Sequence, residues 1–135
     1  MSVPDYLIDT SALVRVLQRQ VPRGWEHRIG AGLVSLCDLT GLELLYSARS
    51  TADRDAIRER LSLFTWCPMP DGVFRRARTV QALLTDKGEH RSAGAVDLLL
   101  AATAEQSGLT LLHHDRDFET VARATGQPVH MIDLR

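Results

Sequence analysis

The chain has 135 residues, 44% of them hydrophobic and 24% charged, with a formal net charge of −1. That length allows one domain over residues 1–135 with a core large enough to need neither disulfide nor structural metal. The composition is that of an ordinary soluble globular protein, and no apolar run approaches the ~18 residues that a membrane span requires.

The opening Met1-Ser2-Val3-Pro4-Asp5-Tyr6-Leu7-Ile8-Asp9 lacks a basic segment followed by an apolar one, so no signal peptide is expected. Cys37 and Cys67 could pair, but nothing in such a chain requires it, and a cytoplasmic protein with reduced thiols is the expectation.

Tyr6-Leu7-Ile8 reads as a short apolar strand, after which Thr10 or Ser11 can cap a helix through Leu13 and Leu17. A second strand is expected over 33–36 and a helix over 39–48. Residues 53–64 form an amphipathic pattern with Ile57, Leu61 and Phe64 inward and Arg54, Arg58 and Arg60 outward. A helix over 71–85 keeps Val73, Ala77, Val80 and Leu84 on one face, and the polar stretch 86–92 is a loop. The next helix covers 94–107 and ends on Gly108. A strand over 109–112, a short helix over 118–125 and a last strand over 129–132 complete the chain. Strands alternating with helices imply an α/β fold with a parallel sheet covered on both faces. Sites in such sheets lie beyond the carboxyl ends of the strands.

Several carboxylates stand where a surface charge is out of place. Asp9 ends the first strand, Glu43 lies among Leu42, Leu44 and Leu45, and Asp97 interrupts the apolar run from Ala95 to Ala102. An unpaired buried carboxylate costs several kcal/mol or more, so Asp97 needs a partner. Asp115 and Asp117 follow the strand ending at Leu112, at the same edge as Asp9. Acids gathered from such distant segments repel one another, and an all-oxygen donor set of this kind suits Mg²⁺ or Mn²⁺. Each also has a plainer explanation. Asp9 could cap the first helix, Glu43 could be an exposed helical residue, Asp97 could pair with Arg91, and Asp115 or Asp117 could cap the last helix. All of these would have to hold together to remove the site.

Competing chemistries fit less well. His113 and His114 are neighbours on a strand and point to opposite faces, so they cannot share a zinc ion. A phosphoacceptor receiver domain, the non-enzymatic signalling alternative, needs a lysine at a strand end, whereas Lys87 lies in a helix-end loop. A haloacid-dehalogenase-type phosphatase needs Asp-x-Asp after the first strand, where this chain has Asp9-Thr10-Ser11.

Ile8-Asp9-Thr10-Ser11-Ala12-Leu13 resembles the first motif of the PIN domain, particularly of its bacterial VapC-type toxins. Thr40-Gly41-Leu42-Glu43-Leu44 is similar to the second, and Ala95-Val96-Asp97 to the third. His113-His114-Asp115-Arg116-Asp117-Phe118 resembles the fourth and is the most specific. The resemblance runs from Tyr6 to Ile132, with one departure: His113 stands where many relatives carry Thr or Ser. It implies a three-layer α/β/α sandwich around a mostly parallel sheet and Mg²⁺- or Mn²⁺-dependent endonucleolytic cleavage of RNA. Catalytic acids would be Asp9, Glu43, Asp97, Asp115 and Asp117, with Asp9, Asp97 and Asp115 as metal ligands. Homodimerisation and inhibition by a cognate antitoxin protein are implied too. A nuclease of this fold acting in RNA processing outside a toxin–antitoxin pair, or a scaffold without activity, is the alternative within the family.

All basic residues but Lys87 are arginine, which suits bidentate phosphate contacts. With the five acids set aside, the 16 basic residues outnumber the remaining acidic ones. Lys87, Arg91 and Arg116 are the candidates for RNA phosphate contacts.

Overall fold

A computed structural model describes residues 4–135; Met1, Ser2 and Val3, the start of the segment read for a signal peptide, lie outside the described residues. Among the described residues five strands run as β1 (Tyr6–Ile8), β2 (Val34–Leu36), β3 (Thr65–Trp66), β4 (Thr110–His113) and β5 (Val129–Met131). They form one sheet in the order β3-β2-β1-β4-β5, and every pairing is parallel. The chain leaves β1 toward β2 on one side and later occupies the other side with β4 and β5. The switch point therefore lies between β1 and β4, where an open parallel sheet leaves a crevice beyond its carboxyl ends.

Successive residues of a strand face opposite sides of the sheet, and the two cores follow that alternation. Leu7 and Leu111 pack on one side with residues of α5 (Val73–Asp86), α6 (Ala95–Gln106) and α7 (Asp117–Thr125). Ile8 and Leu112 pack on the other with α1 (Thr10–Leu17), α2 (Arg23–Gly30), α3 (Asp38–Tyr46) and α4 (Thr51–Leu61). This is the expected α/β/α sandwich. Because both faces are covered, the inner strands are mostly apolar, with Ser35 and His113 as buried polar exceptions, and they read as short hydrophobic runs. Val73, Ala77, Val80 and Leu84 form the buried face of α5, as their spacing predicts. Arg76 clamps α5 to α6 by donating from Nε and Nη2 to the Glu105 carboxylate at 2.7 and 3.1 Å.

Three expectations need correction. The cap of α1 is Asp9, not Thr10 or Ser11: its side chain accepts the Ala12 N–H. The helix expected over 53–64 starts two residues earlier, because Ser50 caps it by accepting the Asp53 N–H, and Phe64 is buried beyond its end. The pattern also missed α2 and β3 altogether. Gly108, by contrast, ends α6 with φ +69°, a conformation that suits glycine. Cys37 and Cys67 are both buried and free. Among the described residues no helix is long and apolar enough to cross a membrane.

Candidate functional site

Asp9 follows β1 directly and is only 5% exposed. Its backbone N–H donates to the Leu112 carbonyl at 3.0 Å, so the acid is fixed against the end of β4. The carboxylate accepts the Ala12 N–H at 3.0 Å and the Ser11 hydroxyl, whose Oγ lies 2.8 Å from each carboxylate oxygen. Ser11 Oγ in turn accepts the His114 N–H at 2.8 Å. One hydroxyl thus joins the first acid to the turn after β4, across 103 positions of sequence. Burial raises the Asp9 pKa from 3.8 to about 6, against the lowering effect of these hydrogen bonds, and repulsion from Asp97 adds to the rise.

Glu43 is held from the neighbouring element. Thr40 Oγ1 donates to the Ile8 carbonyl at 3.3 Å and seats the start of α3 against β1. One turn on, Glu43 is exposed, and its Oε1 accepts the Thr10 hydroxyl at 2.7 Å. The surrounding leucines do not bury it, because Leu42 is itself 67% exposed. Asp97 lies in the first turn of α6 and is half-buried. Its Oδ2 accepts the Gly94 N–H at 3.3 Å. The partner that its burial demanded is therefore a backbone amide, and among the described residues Arg91 forms no ion pair with it. Burial raises the Asp97 pKa most, and repulsion from Asp115, Glu43 and Asp117 raises it further.

Asp115 and Asp117 sit in the turn between β4 and α7. Asp115 Oδ1 accepts the Asp117 N–H at 3.0 Å, so Asp115 makes the local turn that starts the helix. The Asp117 pKa is raised by partial loss of hydration and by repulsion from Asp115. His113 is fully buried, and burial lowers its pKa. His114, one residue past β4, is half-buried, and its Nδ1 lies 3.2 Å from the Ile132 carbonyl.

The acids from β1, α3, α6 and the β4–α7 turn thus share one electrostatic neighbourhood at the carboxyl edge of the sheet. As the side chains stand, no group of three metal-ligating side chains closes on a common point among the described residues. Lys87, Arg91 and Arg116 are exposed and form no ion pair among the described residues. Sequence reasoning did not find the roles of Thr10 and Ser11 as ties between motifs. Two hydroxyls directly after a strand-end acid are the available signal, and a helix cap explains them equally well from sequence alone.

Comparison with known proteins bears on the fold and the family. The PIN domain family model matches residues 6–124. Ribonuclease VapC2 of Mycobacterium tuberculosis (strain CDC 1551 / Oshkosh) is 42% identical over 137 residues, covering 100% of this chain and 97% of that protein. Ribonuclease VapC21 of Mycobacterium tuberculosis (strain ATCC 25618 / H37Rv) is 40% identical over 128 residues, covering 94% and 93%. The crystal structure of DNA-bound VapBC from Salmonella typhimurium has a chain that matches with a TM-score of 0.77 at 19% identity, covering 95% of this chain and 98% of that one. At that identity the likeness speaks for the fold alone. Motifs, topology and relatives agree, and the chain belongs to the PIN-domain family, among its VapC-type ribonucleases.

Proposed function

We propose that the protein is a Mg²⁺- or Mn²⁺-dependent endoribonuclease and the toxin component of a VapBC-type toxin–antitoxin pair. The observation that carries the reading is Asp9: a carboxylate kept buried at the switch point of the sheet, with its pKa raised to about 6, beside Asp97, which repels it. A structure that served stability alone would gain by replacing it with an apolar or neutral residue. The donor chemistry fits a hard divalent cation, since every candidate ligand is a carboxylate oxygen. An ion that keeps several waters and takes one or two carboxylates plus a substrate phosphate needs no closed protein cage.

Asp9, Asp97 and Asp115 would hold the cation. When bound, it supplies Lewis-acid chemistry, neutralising charge that builds up on the phosphoryl oxygens. Glu43 and Asp117, both exposed, reach solvent and can take a proton from an attacking water at their carboxylate oxygens. Thr10 keeps Glu43 in place, and Ser11 keeps Asp9 registered with the turn carrying Asp115. Lys87, Arg91 and Arg116 bind RNA phosphates. The relatives named as ribonucleases support RNA as substrate, and the fold shared with chains of toxin-antitoxin complexes supports an antitoxin as partner. We place the protein in the cytoplasm as a homodimer.

Purified protein incubated with RNA tests the reading. Internal cleavage with Mg²⁺ or Mn²⁺, its loss in EDTA, and inhibition by the protein encoded beside it are expected. Undiminished cleavage in EDTA would overturn the metal role, and growth unaffected by expression without that neighbour would overturn the toxin role.

A further inference from the structure

We propose that His113 is a positioning residue: its buried imidazole holds the backbone N–H of Asp115 and so fixes the turn that presents that carboxylate. The inference rests on the reading of Asp115 as a cation ligand.

His113 is the last residue of β4 and is fully buried. Its own carbonyl accepts the Ile132 N–H at 2.7 Å, so its backbone is locked to the chain after β5. The Asp115 N–H donates to Nδ1 at 3.1 Å. An Nδ1 that accepts carries no proton, so the neutral ring bears its hydrogen on Nε2. Nε2 is buried with no hydrogen-bond partner among the described residues, a cost that a phenyl or leucyl side chain would not incur. The ring packs on Phe118, with centroids 5.4 Å apart and planes at 50°, which holds the imidazole in the orientation that aims Nδ1 at the turn. The same turn is pinned from the other side by Ser11, which accepts the His114 N–H. Between these bonds the backbone at 114 and 115 has little freedom, and the Asp115 carboxylate, itself bonded to the Asp117 N–H, inherits that order. A hydroxyl at position 113 can accept the amide two residues on in a similar way. The imidazole supplies this acceptor from a larger, packed side chain.

Two substitutions separate positioning from packing. His113→Phe keeps the ring volume, removes the unpartnered Nε2–H and lacks an acceptor, whereas His113→Asn keeps an acceptor two bonds from Cβ and loses volume. The Phe variant is expected to melt no lower than wild type, yet to show faster hydrogen exchange at the Asp115 amide. Its Mn²⁺ affinity, read without RNA by electron paramagnetic resonance, should weaken by about tenfold. On RNA, kcat should fall while KM stays. The Asn variant should melt lower and retain both amide protection and Mn²⁺ affinity. If the Phe variant does not fold, His113→Leu serves the same comparison. Unchanged Asp115 exchange in the variant without an acceptor overturns the proposal, whatever its activity. Wild-type protein that binds no Mn²⁺ overturns the cation reading instead, and the exchange comparison still decides the role of His113.

Discussion

Asp9 and Glu43 stand on neighbouring elements of one sheet edge and are held in opposite ways. Asp9 is 5% exposed and wrapped by the Ala12 amide and the Ser11 hydroxyl. Glu43 is exposed and is tied by the Thr10 hydroxyl. A buried carboxylate is costly to ionise, whereas an exposed one keeps its hydration. The edge therefore has a buried floor and a solvent-facing rim. The floor suits an ion that must be held in one place, and the rim suits proton transfer with solvent.

The largest effects should fall on the floor. Asp9→Asn keeps the shape and, since Asn caps well, the helix start, but removes the charge. RNA cleavage by Asp9→Asn should drop by at least about a hundredfold, and Glu43→Gln should lose about tenfold. Equal losses in steady-state assays would erase the distinction between floor and rim.

Stability should move the other way. Without metal, ionised Asp9 penalises the folded state, and a rise from 3.8 to about 6 corresponds to on the order of 2–3 kcal/mol. In EDTA at pH 8, Asp9→Asn should therefore unfold at higher denaturant than wild type, while Glu43→Gln should stay within about 0.5 kcal/mol of it. The pH dependence carries the same signature. Between pH 3.8 and about 6 the unfolded chain has released the Asp9 proton while the folded protein still holds it. The Asp9 contribution to metal-free stability should thus decline as pH rises through that window and level off above it. A wild-type minus Asp9→Asn difference that is flat from pH 4 to pH 7 would show that Asp9 ionises as freely as in the unfolded chain.

Ser11 ties the floor together. Ser11→Ala leaves the His114 amide without its acceptor and Asp9 with the Ala12 amide but without the hydroxyl, and should cost about 1–3 kcal/mol in urea unfolding. Thr10→Val, at the rim, should cost less than that. The smallest changes belong to the exposed cations. Alanine at Lys87, Arg91 or Arg116 should raise KM for RNA and reduce the salt dependence of binding by roughly 0.7 in logarithmic slope for each phosphate that is no longer neutralised. An unchanged slope would remove that residue from the RNA surface.

Most of the architecture was legible because long elements carry periodic signals. The α5 stripe of Val73, Ala77, Val80 and Leu84 is an example. The helix α2 escaped because its buried residues are only Trp25 and Ile29, set among polar neighbours; their i, i+4 spacing was the sole clue. The strand β3 is two residues long, too short for any alternation to show, and it exists because β2 offers it a ladder. For the site, the acids were visible as charges in apolar contexts or at strand ends. Their contacts were not. Thr10 meets Glu43 across 33 positions and Ser11 meets His114 across 103, and only the fold brings such pairs together. The apolar flanks of Asp97 predict deep burial. Placement in the first turn of α6 leaves it half-exposed instead, with the Gly94 amide as partner.

The central claim, that these acids hold a divalent cation, is tested most directly by thermal melts of wild type and Asp97→Asn with and without Mn²⁺, in the absence of RNA. In EDTA the Asn variant should melt higher, because the repulsion that Asp115, Glu43 and Asp117 exert on Asp97 is gone. With Mn²⁺ at about 100 times its dissociation constant, wild type should gain roughly 2.7 kcal/mol and the variant much less, so that the gap narrows or reverses. Equal stabilisation of both proteins by Mn²⁺ would contradict the claim: the cation would then bind elsewhere on the chain.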